Sequence, residues 1–474
     1  MSALEVATLS GRTAALDEGA VRAFAGALDG QLIRSGEPGY DDARQIWNAM
    51  VDRRPALIAR CASVADVQRS VRFAQEHDVL LAVRGGGHNI AGNALCNGGL
   101  VVDRSGMTGV GIDPTARRAR VGPGATLGDV DAAAQRHALA TPLGINSTTG
   151  VAGLTLGGGF GWLTRQYGMT VDNLVSADVV TAEGRSVHAS AQENADLFWG
   201  IRGGGGNFGV VTNFEFALHP VGPDVFAGLI VFPFDQGKAV LNAYRRLVPS
   251  LPEDANLWVV IRKAPPLPFL PESVHGKEIV ALALFATGGE AAGERLAGQV
   301  RGFGTPVGEH VGMQPYVAWQ QAFDPLLTPG ARNYWKSHNF RELSDGVIDL
   351  ALAYASRLPS PHCEIFIALL GGQAGRVAPD ATAYAHRDAN FVMNVHGRWE
   401  TAAEDGPGIA WARAFFDATA PYAAGSVYVN FMTEDEGERV GSAYGANFAR
   451  LRELKRTYDP DNVFRLNQNI DPRR

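Results

Sequence analysis

Cysteine is scarce in this sequence, since only Cys61, Cys96 and Cys363 occur among 474 residues. They are scattered, odd in number and form no CxxC pair, so the sequence predicts neither a disulfide framework nor a cysteine-based zinc site. Acidic clusters such as residues 434–436 are more typical of solvated loops than of metal sites. We therefore predict no bound metal.

Long basic runs and long apolar runs are also missing. With 42 basic and 49 acidic residues and a formal net charge of -7, the chain lacks the electrostatic footprint of a nucleic-acid-binding protein. No apolar run approaches the roughly 20 residues that span a bilayer, and residues 1–20 lack the basic start and apolar core of a signal peptide. We expect a cytoplasmic enzyme with a small-molecule substrate, no nucleic-acid partner and no membrane contact, and the sequence predicts no oligomeric state.

Glycine, in contrast, is abundant. The 57 glycines make up about 12% of the chain, against about 7% in an average protein. They gather at residues 85–99, 150–161 and 203–209 and form neither a linker nor a repeat. The chain is also longer than one hydrophobic core usually supports, so two domains are expected.

Strand and helix patterns alternate around these clusters. Residues 56–61 and 80–84 are short apolar strand candidates, and the second runs directly into GGGHN. Between them, residues 63–78 show helical spacing, with Ser63 as N-cap and Asp66 as an acidic capping-box partner. The other predicted elements are a helix-rich lead-in (1–30), two strands joined by a turn (172–190), a short helix (195–205), a strand (207–218), and an amphipathic helix followed by an Asn-rich tail (446–470).

The first two glycine clusters are suited to a dinucleotide. Its pyrophosphate is held best by converging backbone N–H groups, and glycine permits the positive φ angles and the close approach that such nests require. VRGGGHNIAGN (83–93) and TTGVAGLTLGGGFGWL (148–163) both fit, and His88 stands at the apex of the first loop. GGGG at 203–206 follows a helical stretch and precedes a strand, which is not the order of a Rossmann NAD-binding fold.

At this point the residues resemble a known family. RGGGHNIAGN (84–93), TTGVAGLTLGGGFGWLTRQYGMTVDN (148–173), FWGIRGGGGNFGVVTNFEF (198–216) and YDPDNVFRLNQNI (458–470) are similar, in this order, to motifs of the FAD-linked oxidases of the vanillyl-alcohol oxidase superfamily. The branch that the sequence resembles most is the berberine-bridge-enzyme-like one.

The resemblance implies an α+β fold. A bipartite FAD-binding domain of two α+β subdomains would be formed by residues 1–218 and 426–474. A substrate domain, built on an antiparallel sheet flanked by helices, would be inserted at residues 219–425 and would cover the isoalloxazine.

The resemblance also implies where the cofactor lies. In that family the histidine of the RGGGHN loop is bonded to the flavin 8α-methyl carbon, so FAD would be attached covalently through His88. The further cofactor residues that it implies are Arg84, Gly85, Gly86, Gly87, Asn89, Gly92, Thr148, Thr149, Gly150, Gly153, Gly158, Gly159, Gly161, Val210 or Val211, Asn467 and Asn469.

One position departs from the family pattern. Many members carry a second flavin bond from a cysteine just before the segment that matches Ser147 to Gly150, and this sequence has Asn146 there. A single covalent link through His88 is therefore expected. Thr149 matches the position that gates oxygen access to the flavin in relatives, and it is neither the Val nor the Leu usual in plant members.

The flavin requires a partner that removes a proton while hydride leaves the substrate. GSVYVNFMT (425–433) resembles a strand near the C-terminus of family members. Tyr428 and Asn430 are two residues apart, so on a strand both side chains would point to the same face. Tyr428 would serve as base, if its pKa is lowered, or would orient the substrate, and Asn430 would hydrogen-bond flavin or substrate. Asn394 is a third catalytic candidate. Weaker candidates for the site are Tyr334, Trp335, His338, Tyr384, His386, Arg387 and His396.

These observations favour an FAD-dependent oxidase that takes hydride from a small alcohol, sugar, amine or natural-product intermediate to flavin N5, with O2 reoxidising the flavin to give H2O2. A flavin-dependent dehydrogenase or an oxidative cyclase on the same scaffold remains an alternative, as does a catalytically silent flavin-binding protein.

Overall fold

The first part of the chain forms a four-stranded sheet in which three strands are parallel. The computed structural model describes residues 4–473. Helix Val64–Glu76 is the crossover between strands Leu57–Arg60 and Leu81–Arg84, which run in the same direction and both pair with strand Leu100–Asp103 between them. In spatial order the strands are Gln31–Arg34, Leu57–Arg60, Leu100–Asp103 and Leu81–Arg84, the first of them antiparallel.

The start of that helix differs in one detail from the expectation. Ser63 caps it as predicted, because its side chain accepts the Asp66 N–H. The Asp66 carboxylate, however, accepts the backbone N–H groups of Asp29, Gly30 and Ala62. The predicted capping box was therefore wrong, and Asp66 instead fixes the neighbouring loops.

The N-terminal segment is not the helix-rich lead-in that was expected. Strands Leu4–Ala7 and Thr13–Leu16 form a hairpin around Gly11, whose φ of +79° a turn requires, and only Glu18–Ala27 is helical. Backbone bonds between Ala7 and both Leu80 and Gly98 anchor the hairpin to the first sheet. This tertiary pairing is not visible in local sequence.

A five-stranded antiparallel sheet follows. The predicted strand pair at 172–190, the short helix before the GGGG segment and the strand after it are all confirmed. The C-terminal helix Phe448–Tyr458 returns to pack against helix Ala195–Ile201. In spatial order the strands are Ser186–Ser190, Leu174–Val180, Val210–Ala217, Arg118–Val121 and Val110–Asp113.

The third sheet has seven antiparallel strands. Helices Gly237–Leu247, Glu290–Arg301, Asp345–Ala355 and Asp405–Thr419 pack against it or against one another. In spatial order the strands are Gly308–Pro315, Asp224–Pro233, Glu278–Ala286, Ala255–Lys263, Glu364–Leu369, Phe391–Trp399 and Arg332–Phe340.

Shorter elements complete the α+β fold that the sequence predicts. No helix within residues 4–473 has the length and apolarity needed to cross a membrane. The domain boundaries at 218/219 and 425/426 stay a prediction. The remaining elements are helices Tyr40–Ala43, Leu127–Gln135, Val151–Leu156, Thr164–Tyr167, Tyr316–Gln320, Gln373–Arg376 and Val440–Tyr444, and the strand pair Leu139–Ala140 with His219–Pro220.

Candidate active site

A deep cleft lies where the three sheets meet. Most of its surface is apolar, and its polar groups are concentrated at a few points, as in small-molecule and cofactor sites. The residues that line it lie within segments 81–94, 144–160, 205–211, 364–366, 394–396, 428–431 and 464–468, together with Trp47, Arg104, Leu327, Trp335 and Tyr444.

The first two glycine clusters form one wall of this cleft. A Cβ on Gly86 would lie 2.6 Å from the Gly150 Cα, and one on Gly150 would lie 2.5 Å from the Gly86 nitrogen. The two loops therefore cross at a separation that only glycine allows. Gly87 has a φ of +72°, and a Cβ on Gly153 would meet nothing within 4 Å. The loops leave open space beside exposed backbone, as a phosphate nest requires.

His88 projects from the first loop into a short hydrogen-bonded relay. Its Nε2 lies 2.9 Å from the Thr148 hydroxyl, which itself donates to Asn146 Oδ1 at 2.6 Å. Because that hydroxyl has one hydrogen, it accepts from Nε2–H and leaves Nδ1 with a free lone pair. Burial lowers the pKa of His88 to about 4, so the ring is neutral at pH 7. The indole ring of Trp47 stacks on it at 5.0 Å.

The far end of the cleft combines apolar side chains with one buried cation. Val210 lines it together with Arg104, whose guanidinium donates to the carbonyl oxygens of Arg84 and Val211. Burial lowers the pKa of Arg104 to about 10, which still leaves it charged at pH 7. Gly206 also lines this end, and a Cβ there would meet nothing within 4 Å.

The C-terminal tail also lines the cleft. Phe464, Leu466 and Asn467 line it, and Asn467 Oδ1 is buried without a hydrogen-bond partner within residues 4–473. The tail is held by a fully buried ion pair between Lys455 and Asp459, 2.6 Å apart. Lys455 also donates to the Phe464 carbonyl, and Asp459 accepts the Phe464 N–H.

The predicted cofactor residues fall into two groups. Several support the loops from behind: a Cβ on Gly161 would lie 1.8 Å from the Leu143 oxygen, and one on Gly92 would lie 2.7 Å from Val51. Those that line the cleft are Gly85, Gly86, Gly87, His88, Asn89, Thr149, Gly150, Gly153, Val210 and Asn467. Those that lie behind the lining are Arg84, Gly92, Thr148, Gly158, Gly159, Gly161 and Asn469.

Tyr428 and Asn430 both line the cleft, but the strand predicted for them was wrong. Residues Val429–Phe431 form a single 3₁₀ turn, in which the Phe431 N–H donates to the Tyr428 carbonyl. Because the turn satisfies its backbone locally, this segment pairs with no sheet. The Tyr428 hydroxyl oxygen accepts the Gly159 N–H and the Asn430 amide, each at 3.0 Å. Burial raises the pKa of Tyr428 to about 12, which is the opposite of what a tyrosine base needs.

The opposite wall is one face of the seven-stranded sheet. His396 is paired in register with Trp335 on one neighbouring strand and with Glu364 on the other. Two residues before His396 on the same strand, Asn394 is paired with Phe366. All five side chains line the cleft, because alternate residues of a strand share a face. Asn394 Oδ1 is buried without a partner within residues 4–473.

A buried ionic group stands at this wall. Glu364 pairs with Arg262 at 2.8 Å and accepts from His396 Nδ1 at 3.1 Å. Burial alone would raise the pKa of Glu364, but Arg262 and His396 lower it to about 2. Burial lowers the pKa of His396, and its bond to Glu364 opposes that shift. His396 is therefore a neutral ring whose orientation the Glu364 carboxylate fixes.

Of the weaker candidates that the sequence suggested, two line the cleft and the others do not. Trp335 and His396 line the cleft. The others make structural contacts: Arg387 forms a buried bidentate pair with Asp172, and His338 Nε2 bonds to the Phe416 carbonyl. The remaining contacts are Tyr334 to Asp435, His386 to the Ala443 carbonyl, and Tyr384 to Arg387 through its ring.

Among the cleft residues that sequence reasoning missed are Trp47, Arg104, Glu364 and Phe366. Arg104 follows a parallel strand beside the one that leads into the first glycine loop, so the rule that ligands meet the carboxyl ends of parallel strands could have indicated it. Trp47, Glu364 and Phe366 stand in no motif, and only the tertiary arrangement brings them to the cleft. Within residues 4–473 no group of three or more His, Cys, Asp or Glu side chains could hold a metal ion.

Comparison with known proteins matches this arrangement. A family model described as "FAD binding domain" matches residues 55–190, and one described as "Berberine and berberine like" matches residues 427–471. The (R)-6-hydroxynicotine oxidase of Paenarthrobacter nicotinovorans is 32% identical over 94% of this chain and 97% of its own length.

Two solved structures show the same fold. The structure of 6-hydroxy-D-nicotine oxidase from Arthrobacter nicotinovorans has a TM-score of 0.83 at 30% identity and covers 94% of this chain and 98% of its own. That of glucooligosaccharide oxidase from Acremonium strictum, which concerns a 6-S-cysteinyl, 8α-N1-histidyl FAD, has a TM-score of 0.85 at 23% identity and covers 96% and 99%.

The fold, the glycine-walled cleft and these matches define an FAD-linked oxidoreductase. The chain belongs to the berberine-bridge-enzyme-like family of the vanillyl-alcohol oxidase superfamily.

Proposed function

We propose that this protein is an FAD-dependent oxidase that transfers hydride from a small organic molecule to flavin N5 and electrons onward to O2, giving H2O2. The observation that carries the proposal is the single cleft in which His88 and the glycine loops face the polar side chains of Asn394, His396 and Tyr428. The substrate would be an alcohol, a sugar, an amine or a natural-product intermediate.

The residues present fit FAD. The crossing at Gly86 and Gly150, the open space at Gly153, the buried cation Arg104 and the unpaired Asn467 oxygen together offer what a dinucleotide needs. The glycine loops would hold the pyrophosphate. When bound, the flavin supplies hydride acceptance and the subsequent reaction with oxygen.

The relay around His88 supports a covalent link through this residue. With Nε2–H donated to Thr148, the neutral ring presents Nδ1, which is N1 of imidazole, as its free nucleophile. The histidyl link named for the glucooligosaccharide oxidase is also through N1. Asn146 occupies the position of a second link, and the buried Cys61, Cys96 and Cys363 do not line the cleft.

The sheet wall supplies the proton acceptor in this proposal. His396 is neutral and oriented by Glu364, and its Nε2, which lies 3.4 Å from Asn333 Oδ1, would turn from that contact to accept the proton released from a substrate O–H or N–H. Tyr428, with its pKa raised to about 12 and its oxygen already accepting two N–H groups, stays protonated and offers its O–H as a hydrogen bond to the reacting group. Asn430 holds Tyr428, and the free Asn394 oxygen orients the substrate.

The attachment is tested by acid precipitation. Wild-type protein and Cys96→Ala should keep yellow, fluorescent flavin in the pellet, whereas His88→Ala should release it to the supernatant. A colourless wild-type pellet would contradict the covalent link.

The oxidase activity is tested by measuring H2O2 with a panel of alcohols, sugars and amines. Flavin that is bleached anaerobically by a substrate but is reoxidised only by an artificial acceptor would indicate a dehydrogenase. A cyclised product would indicate an oxidative cyclase. Flavin that no panel member bleaches would favour a silent binding protein.

A further inference from the structure

The sheet face that meets the cleft changes from polar to apolar across its strands. His396, Glu364 and Arg262 are paired in register across adjacent strands, and the next strand continues this row with Ile279. Ionic side chains therefore stand near the cofactor loops, and hydrocarbon side chains continue the same face away from them.

An apolar pocket occupies the far half of this face. It shares Ile145, Leu327, Glu364 and Phe366 with the cofactor cleft, so it is a side arm of that cleft. The residues on its sheet floor are Leu229, Val231, Trp258, Val260, Ala281 and Ala283.

The floor leaves room because its central strand carries small residues. Ala281 and Ala283 lie on the same face of strand Glu278–Ala286, and Ala281 is paired with Val260. Val260 is paired with Phe366 on the next strand, and Phe366 is paired with Asn394 on the strand after that. Val260 and Asn394 are therefore two strand spacings apart, about 10 Å. A molecule that reacts beside Asn394 would reach the pocket with a short body.

The ionic groups at the pocket already have partners. Arg262 donates to Glu364 and to the Lys263 carbonyl, and Glu364 also bonds to His396. The buried indole nitrogen of Trp162 is the one lining polar atom in residues 4–473 that is recorded as buried without a partner. The hydroxyl groups of a sugar would therefore lose water here, and among the described residues of the lining the Trp162 N–H is the one buried donor without a partner that could replace it.

We propose that this pocket binds the apolar body of the substrate, which is an alcohol or amine carrying one hydrocarbon ring next to its reacting carbon and is not an oligosaccharide. Trp162, stacked on Trp258 at 4.1 Å, and Phe366 give the pocket flat aromatic walls suited to such a ring. The inference rests on the proposed oxidase function, because it places the reacting carbon beside the flavin.

Rapid-mixing measurement of anaerobic flavin reduction in the holoenzyme tests the substrate class. Benzyl alcohol or benzylamine should reduce the flavin faster than xylobiose. Ala281→Phe should lower the second-order rate constant for the ring-bearing substrate about tenfold or more, while ethanol or ethylamine is little affected, since a hydrophobic pocket discriminates by group size. Ala353→Phe, the same change at an exposed helix position, is the control.

Two outcomes would overturn the inference: faster reduction by xylobiose, or an Ala281→Phe enzyme that treats benzyl and ethyl substrates as the wild type does.

A binding measurement separates failure of the inference from failure of the oxidase function. Quenching of tryptophan fluorescence by 4-nitrotoluene should saturate in wild-type and Ala353→Phe protein, and the affinity for 4-nitrotoluene should be about tenfold weaker in Ala281→Phe. If no alcohol or amine reduces the flavin but 4-nitrotoluene binds the three proteins as expected, the proposed oxidase function is wrong and the apolar binding site is supported. If the quenching is the same in all three proteins, the site is wrong.

Discussion

At the scale of single residues, the chemistry of His88 depends on which of its nitrogens carries the proton. Thr148 and Asn146 decide this, because the Thr148 hydroxyl donates to Asn146 and can only accept from the histidine. Replacing one hydroxyl should therefore change cofactor attachment without removing the nucleophile.

Thr148→Val is expected to slow covalent attachment roughly fivefold, because a hydrogen bond of this kind is worth about 1 kcal/mol. The measurement is the fraction of flavin that stays in acid-precipitated protein at timed intervals after FAD is added to apoprotein. Thr148→Ser keeps the hydroxyl and should attach FAD at nearly the wild-type rate. Equal rates for the Val and Ser variants would show that Thr148 does not set the tautomer.

The second residue-scale prediction concerns the acid limb of activity. Burial lowers the pKa of His396 below its usual 6.5, so the neutral base persists as the pH falls through 6.5, and activity should be lost only below that value. Glu364→Gln removes a charge that raises this pKa, so it should move the limb to lower pH. It should also lower kcat/KM, by about 10²-fold if the proton transfer is lost.

The pH profile of kcat/KM measures this effect. His396→Asn should lose the limb, whereas His188→Asn, at an exposed position bonded to Asp178, should keep it. A limb that stays in place in both Glu364→Gln and His396→Asn would remove His396 from the role of base.

At the scale of elements, the C-terminal helix positions the tail that lines the cleft. Lys455 lies in this helix and Asp459 caps the following turn, and both are fully buried. The pair also satisfies the backbone of residues 463 and 464. The tail therefore depends on an ion pair that cannot be solvated.

Asp459→Ala should cost about 3–5 kcal/mol of the free energy of unfolding, because it leaves Lys455 as an uncompensated buried charge. Urea denaturation measures the loss. The exposed pair of Lys238 and Asp349 provides a matched control, and Asp349→Ala should cost no more than about 1 kcal/mol. Similar losses in the two variants would mean that the buried pair does not hold the tail.

Elements also show how far sequence reasoning reaches. The glycine loops could be predicted because positive φ angles and close backbone approach demand one residue type at fixed places, such as Gly86 and Gly150. The sheet wall could be predicted only in part: Asn394 and His396 alternate with apolar residues in strand Phe391–Trp399, but every residue of this strand is buried, so the alternation does not show which face meets the cleft. The turn at Tyr428 was mistaken for a strand because a short aromatic and β-branched segment suits either structure, and only the missing sheet partner decides between them.

At the scale of the whole molecule, the cleft joins parts of the chain that are distant in sequence. Gly86 comes from the first sheet, Val210 from the second, Phe366 from the third and Asn467 from the C-terminal tail. FAD bound in this cleft would contact all of them in the native state and none of them in the unfolded chain. Cofactor binding should therefore stabilise the entire fold.

His88→Ala makes this measurable, because it should let FAD bind reversibly. At a free FAD concentration about 100 times its Kd, the native state should gain about 2.7 kcal/mol, so the Tm should rise by a few degrees and keep rising with the logarithm of the concentration. FMN, which lacks the adenosine half that the family resemblance places beside Val210, should give a smaller rise at the same concentration. A Tm that does not depend on FAD would mean that the cleft does not hold the dinucleotide across these segments. Equal rises with FAD and FMN would confine the binding energy to the end beside His88.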